Sequence, residues 1–166
     1  MMLKKIDLLW LLAYPLYQII NTLRHEGSHA FAAVLHGATI TQFVFWPTWN
    51  GRLLWGYINY TGNDTWFIIA APYLVDLLTF AVCFAWLSRV RFARRAVWLN
   101  AVILGLLSPL INSAYNYVGR FSPGNDVAQL LLMLPAGLVQ GYFGVTLLIY
   151  LTGLLIIFRI SVTRVR

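Results

Sequence analysis

Charged residues are scarce in this chain of 166 residues: only 10% are charged, whereas 60% are hydrophobic. Soluble domains carry roughly 25% charged residues, so this scarcity excludes a soluble enzyme with a single membrane anchor. The mean hydropathy is +0.73. Because a helix needs about 20 apolar residues to cross a bilayer, the length suits about four spans. We therefore predict one integral membrane domain over residues 1–166.

Cysteine is almost absent, since Cys83 is the only one and it lies within a predicted span. A single thiol excludes both a disulfide framework and a metal site built from several thiolates. Any metal site in this chain must therefore use other ligands.

Acidic residues are fewer than basic ones, which gives a net charge of +7. Nine of the twelve basic residues lie at chain ends or between spans: Lys4, Lys5, Arg89, Arg91, Arg94, Arg95, Arg159, Arg164 and Arg166. Such clusters mark the cytoplasmic ends of spans, so they predict that both termini are cytoplasmic. We expect a multi-pass protein of a prokaryotic cell membrane. The basic charge thus indicates topology and contact with the lipid bilayer, and we expect no nucleic-acid partner.

The predicted fold is an all-α membrane protein, a bundle of about four transmembrane helices with an interfacial β-hairpin between the first and second. The apolar runs place the spans at about 6–36, 66–87, 96–117 and 138–158. The first, from Ile6 to about His36, is longer than the ~30 Å hydrocarbon core, so we expect it to tilt, to kink near Pro15 or to protrude. A short apolar segment, 127–134, precedes the last span.

Residues 39–61 have the alternating pattern of strands. Phe43 and Phe45 lie on one side of Asn50-Gly51, which is a strong signal for a hairpin turn. The aromatic residues of this segment suit the membrane interface: Trp46, Trp49, Trp55, Tyr57 and Tyr60. We predict a β-hairpin at that interface.

The ionisable residues of the first helix are concentrated at one end. All three histidines, His25, His29 and His36, lie within twelve residues, and Glu26 is the only glutamate. Ionisable groups inside a span are costly and need a partner or a purpose. His25 and His29 are four residues apart, about 40° around a helix, so both can face one Zn²⁺ ion. Glu26 could then act as the general base towards a metal-bound water.

Two further aspects of the motif concern the role of His36 and a non-catalytic alternative. His36 lies ~10 Å further along the helix axis than His29, too far for the same metal. A structural alternative is a pair of interfacial histidines with a glutamate that extends to the membrane surface.

A third zinc ligand must come from the carboxylates Asp7, Asp64, Asp76 and Asp126. Counting spans places Asp126 at the same membrane face as the His/Glu motif, whereas Asp7 is at the opposite end. Asp76 lies ~16 Å into the second span, and Asp64 lies in a loop where a solvated charge is ordinary. We predict Asp126 as the ligand, with Asp76 and Asp64 as alternatives; Asn125 or Asp126 could also cap the following helix.

The run from His25 to Gly37 resembles the first core helix of site-2-protease-like intramembrane zinc metalloproteases. In that family HExxH is followed by small and apolar residues and by a glycine in the position of Gly37. Residues 39–61 are similar to the family's membrane-associated hairpin. The family's aspartate ligand lies in a proline-containing turn preceded by asparagine, and Asn112 with Pro123-Gly124-Asn125-Asp126 looks like a loose version of it.

Two residues depart from the family's pattern. Val127 stands where glycine usually follows the aspartate, and Asp76 stands near the place of an asparagine. Asp76 could polarise the site or form a hydrogen bond between helices. The family also usually opens its site towards the cytoplasm, whereas the basic residues of this chain place the motif at the outer face.

The resemblance implies hydrolysis of a peptide bond in a membrane-protein or peptide substrate, with zinc held by His25, His29 and Asp126. A substrate helix must unwind first, and the edge of the hairpin could hold it by strand addition. Asn112 or Asn116 could stabilise the oxyanion, or simply form hydrogen bonds between helices. The competing hypothesis is a non-catalytic membrane protein with a structural or relic metal site. A regulatory membrane partner or a homo-oligomer is compatible with either function.

Overall fold

The computed structural model describes residues 12–49, 53–90, 92–122 and 124–163. The α-helices are α1 (Tyr14–Leu35), α2 (Trp66–Arg89), α3 (Arg95–Val102), α4 (Ser108–Val118), α5 (Asp126–Met133) and α6 (Ala136–Thr163). The strands are β1 (Thr39–Val44), β2 (Thr48–Trp49), β3 (Leu53–Leu54) and β4 (Tyr57–Thr61). The chain is therefore mostly helical with a small antiparallel strand segment, as predicted.

Three helices in the described ranges are long and apolar enough to cross a membrane. They are Trp66–Arg89, Arg95–Phe121 and Ala136–Ile160. They correspond to the last three predicted spans, so the chain is an integral membrane protein. The predicted count of four is not confirmed, because α1 is not among the three and residues 6–11 of the first run lie outside the described residues.

Within the described residues α1 begins at Tyr14, and it ends almost where predicted. Residues 12 and 13 form a 3₁₀ turn, and Pro15 lies in the first turn of α1 rather than at a kink within it. Proline is favoured there because the first N–H groups of a helix lack intrahelical acceptors. At the other end, Gly37 has φ +81°, and the amide of Ala38 donates to the carbonyl of Ala33. This is a Schellman cap, which turns the chain into β1.

The predicted hairpin is present as two short antiparallel ladders. Strand β1 pairs with β4, and β2 pairs with β3 further along the same two arms. The irregularity between Ile40 and Gln42 is a β-bulge. Asn50 and Gly51, the predicted turn, lie outside the described residues. The hairpin packs along α1, which places it beside the end of the helix that carries the His/Glu motif.

The helix between Arg95 and Phe121 is not regular throughout. Residues Ile103–Leu107 form a π-helical turn between α3 and α4, and Pro109 follows it. A Cβ atom at Gly105 would overlap the side chain of Cys83, so α2 and this turn approach closely. The free cysteine therefore packs against a neighbouring helix.

Helix α5 is positioned by its N-terminus and its buried face. Asn125 is the N-cap, and its Oδ1 accepts from the amides of Val127 and Ala128. Val127, fully buried, packs in one core cluster with residues of α2 and α6. Because Asn125 supplies the cap, the side chain of Asp126 in the first turn is free to face α1.

Candidate metal centre

The structure brings together His25, His29 and Asp126. Nε2 of His25 lies 3.0 Å from Oδ2 of Asp126, and Nε2 of His29 lies 3.3 Å from the same oxygen. One possible ligand atom from each residue lies within 4.8 Å of the other two, which is close enough to hold one metal ion. The three side chains are only 10–20% exposed.

The hydrogen bond made by Nδ1 of His29 determines which tautomer the ring adopts, and so what Nε2 presents to Asp126. Nδ1 lies 2.8 Å from the carbonyl oxygen of Ile68, which can only accept, so Nδ1 carries a hydrogen. In a neutral ring Nε2 then points a lone pair at the carboxylate of Asp126. Two lone pairs repel, so this contact is favourable only with a proton or a metal cation between the atoms. The donor set therefore fits a bound cation.

Asp126 is held as a carboxylate. Burial alone would raise its pKa, but hydrogen bonds and charge interactions with His25 and His29 hold the pKa well below its ordinary value. The same Oδ2 also accepts from the hydroxyl of Tyr73 at 3.2 Å. An ionised oxygen with these neighbours is suited to metal binding.

Nδ1 of His25 contacts a side-chain amide instead of a backbone carbonyl. Nδ2 of Asn112 lies 3.1 Å from Nδ1 of His25 and donates to Oδ2 of Asp76 at 2.7 Å. In this arrangement Nδ1 of His25 accepts, and Nε2 carries the hydrogen that it donates to Asp126. Metal binding through Nε2 needs the hydrogen on Nδ1 instead, and the Asn112 amide would have to turn over to accept it. That turn would break its hydrogen bonds with Asp76 and Asn116, so the contact at Nδ1 does not prepare His25 for the metal as it does His29.

Asp76 belongs to a buried ion pair behind the ligands. Its Oδ1 lies 2.7 Å from a guanidinium nitrogen of Arg24, and its side chain is 2% exposed. Arg24 also donates to Oδ1 of Asn21 and to the backbone oxygen of Leu104, within the π-helical turn. Asp76 therefore links helices and orients Asn112, as the hydrogen-bonding alternative predicted, and it is not part of the three-residue group.

Glu26 lies where the hairpin meets α1. Its carboxylate is near enough to interact electrostatically with His25, His29 and Asp126. A Cβ atom at Gly56, between β3 and β4, would overlap the methyl of Thr22 and lie 3.2 Å from Cγ of Glu26. The hairpin backbone therefore lies against α1 beside the predicted general base, at a distance from Thr22 that only a glycine permits.

The other predicted site residues lie around this centre. Asn116 donates to the backbone and side-chain oxygens of Asn112, so both amides take part in hydrogen bonds between or within helices; their oxyanion role stays a prediction. The ring of His36, at the C-cap of α1, packs against Phe67. Asp64 accepts from the hydroxyl of Tyr60. Asp7 and Pro123 lie outside the described residues.

Two residues next to the centre, Arg24 and Tyr73, were not predicted from the sequence. Arg24 carried a usable signal, because a charged residue within an apolar helix needs a partner. Tyr73 carried none, because a tyrosine within an apolar run is also typical of a core.

The family model for Peptidase M50B-like proteins matches residues 6–161. No curated protein and no solved structure matches the chain. This match confirms the resemblance to site-2-protease-like proteins and indicates a protein of the membrane metalloprotease kind. The chain belongs to the Peptidase M50B-like family.

Proposed function

We propose that this protein is a zinc-dependent intramembrane endopeptidase that hydrolyses a peptide bond of a membrane-protein substrate. The observation that carries the proposal is the convergence of His25, His29 and Asp126, next to the only glutamate of the chain. Two imidazole nitrogens and one carboxylate oxygen are a ligand set of catalytic zinc, which keeps a fourth position open.

Zinc, when bound there, would supply a Lewis acid that polarises the scissile carbonyl and makes water a nucleophile at neutral pH. His25, His29 and Asp126 would hold it. Glu26 would take the proton of the attacking water and deliver it to the leaving amine. The buried surroundings of the three ligands limit competing water, which strengthens these electrostatic interactions.

The hairpin is the proposed substrate contact. A substrate helix has its backbone groups bonded internally, so it must unwind before a carbonyl becomes accessible. Strand addition to the hairpin would replace the lost hydrogen bonds and hold the peptide extended beside Glu26. The contact of Gly56 with α1 supports this placement.

The test compares wild type with Glu26→Gln in host-cell membranes. New protein N-termini in membrane fractions are identified by mass spectrometry, and zinc is measured in the purified chains. We expect wild type to generate termini within or beside transmembrane segments, and Glu26→Gln to generate none while it keeps its zinc. If both chains bind zinc and give the same termini, the site is structural and the protease proposal fails.

A further inference from the structure

Helix α2 contains a proline four residues after Ile68, whose backbone carbonyl contacts His29. Pro72 lies inside the helix and has no N–H group, so the carbonyl of Ile68, four residues earlier, loses its helical donor. Ile68 and Pro72 are almost completely buried, where an unpaired carbonyl is costly. That carbonyl accepts instead from Nδ1 of His29 at 2.8 Å.

This hydrogen bond selects one tautomer of His29. The carbonyl requires the hydrogen on Nδ1, which leaves Nε2 as the free lone pair of the neutral ring. Nε2 is the atom that faces Asp126. A backbone carbonyl on a buried helix can only accept, whereas the Asn112 amide next to His25 presents an N–H group to Nδ1.

We propose that Pro72 is a positioning residue that presents His29 to the metal in the correct tautomer and orientation. It acts by freeing the Ile68 carbonyl and by keeping that carbonyl turned towards α1. His29 is thus set before metal binding. The inference rests on the zinc site proposed above.

Replacing Pro72 by alanine supplies the missing N–H group. The alanine amide donates to the Ile68 carbonyl along the helix axis and draws it away from His29. The tautomer of His29 is then no longer selected. Because partners of ligand histidines are worth about 10–100-fold in metal affinity, we expect Pro72→Ala to weaken zinc binding by a factor in that range.

Two measurements test this on the full chain in detergent micelles. Nitrogen-15 NMR of labelled histidine reports which ring nitrogen carries the hydrogen in the zinc-free protein, and the three histidines are assigned with single variants. Competition with a chelator of known affinity reports zinc binding. We expect His29 with hydrogen on Nδ1 in wild type, and a mixture of tautomers with weaker zinc binding in Pro72→Ala.

Pro109→Ala is the matched control. Pro109 is as deeply buried as Pro72 and also lies within a spanning helix. In the π-helical turn before Pro109, N–H groups bond to the carbonyl five residues earlier, so Pro109 leaves the Leu104 carbonyl without a helical donor. That carbonyl accepts from Arg24 and not from a histidine. We expect this variant to keep the His29 tautomer of wild type.

The possible results separate the inference from the proposed function. Wild-type His29 without a hydrogen on Nδ1 overturns the inference. This result needs no variant, so the inference stays testable even if Pro72→Ala fails to fold. Weaker zinc binding in Pro72→Ala with an unchanged His29 tautomer would mean that Pro72 acts only through packing. That result also overturns the inference. A wild-type chain without zinc removes the proposed zinc site, while the NMR comparison still tests the link from Pro72 to His29.

Discussion

Oδ2 of Asp126 lies within 3.3 Å of Nε2 of both His25 and His29, although about a hundred residues separate it from them along the chain. The carboxylate comes from the first turn of α5, and the imidazoles come from successive turns of α1. A single oxygen therefore joins the two helices at the proposed zinc site.

Removing this carboxylate is expected to remove the metal. Wild type purified in detergent should carry about one zinc ion per chain, and Asp126→Ala should carry little, because two imidazoles alone do not complete the ligand set. Elemental analysis measures both. Asp64→Ala is the control, since Asp64 contacts Tyr60 and not the histidines. Zinc loss in Asp64→Ala with retention in Asp126→Ala would contradict the assignment.

Tyr73 is expected to support the ligand without binding the metal. Tyr73→Phe deletes the hydroxyl that donates to Asp126 and should weaken zinc binding by about 10-fold, the lower range for partners of ligands. Chelator competition gives the affinity. Tyr142→Phe, which loses a hydrogen bond to the backbone of Tyr73, should leave it unchanged. Equal affinities in all three chains would show that the hydroxyl has no role at the site.

The buried pair of Arg24 and Asp76 is expected to matter for stability. Arg24→Leu leaves Asp76 buried without its cation, and breaking such a pair costs about 3–5 kcal/mol. The double variant with Asp76→Leu should recover most of the loss, because no charge remains buried alone. Thermal unfolding in detergent measures the effect. A double variant less stable than Arg24→Leu would show that Asp76 contributes mainly through Asn112.

The contact between the hairpin and α1 is expected to tolerate no side chain at Gly56. In Gly56→Ala the new methyl meets Thr22 and the backbone oxygen of Val44, so the hairpin must move, at a cost of about 1–3 kcal/mol. We expect proteolysis to fall and zinc content to stay. Gly141→Ala, where a methyl meets open space, should match wild type in both assays. Wild-type proteolysis by Gly56→Ala would show that this contact between the hairpin and α1 is not needed for activity.

The basic residues before α3 predict which face of the membrane the site opens to. In a Cys83→Ala background, Arg94→Cys places one thiol at an exposed position of this loop. An impermeant maleimide should label it only after the cells are opened, because four arginines mark a cytoplasmic loop. Labelling of intact cells would place the loop outside and the proposed site at the cytoplasmic face.

Local features were predictable because they depend on near neighbours in the chain. The spacing of His25 and His29 follows from helix geometry, and Gly37 supplies the left-handed residue that ends α1. The 3₁₀ turn at residues 12 and 13 was not predicted, because hydropathy alone cannot separate an α-helix from a 3₁₀ turn of apolar residues.

The sequence alone determined that this is a membrane protein and that its histidines and its only glutamate lie at one end of the first helix, and it predicted Asp126 as the carboxylate that joins them. Composition, helical spacing and the order of the spans are enough for these conclusions. Tertiary structure alone decided that Asp76 pairs with Arg24, that Tyr73 reaches Asp126, and that the carbonyl freed by Pro72 meets His29. These contacts join helices far apart in sequence, and their geometry depends on how the helices pack, which residue spacing does not encode.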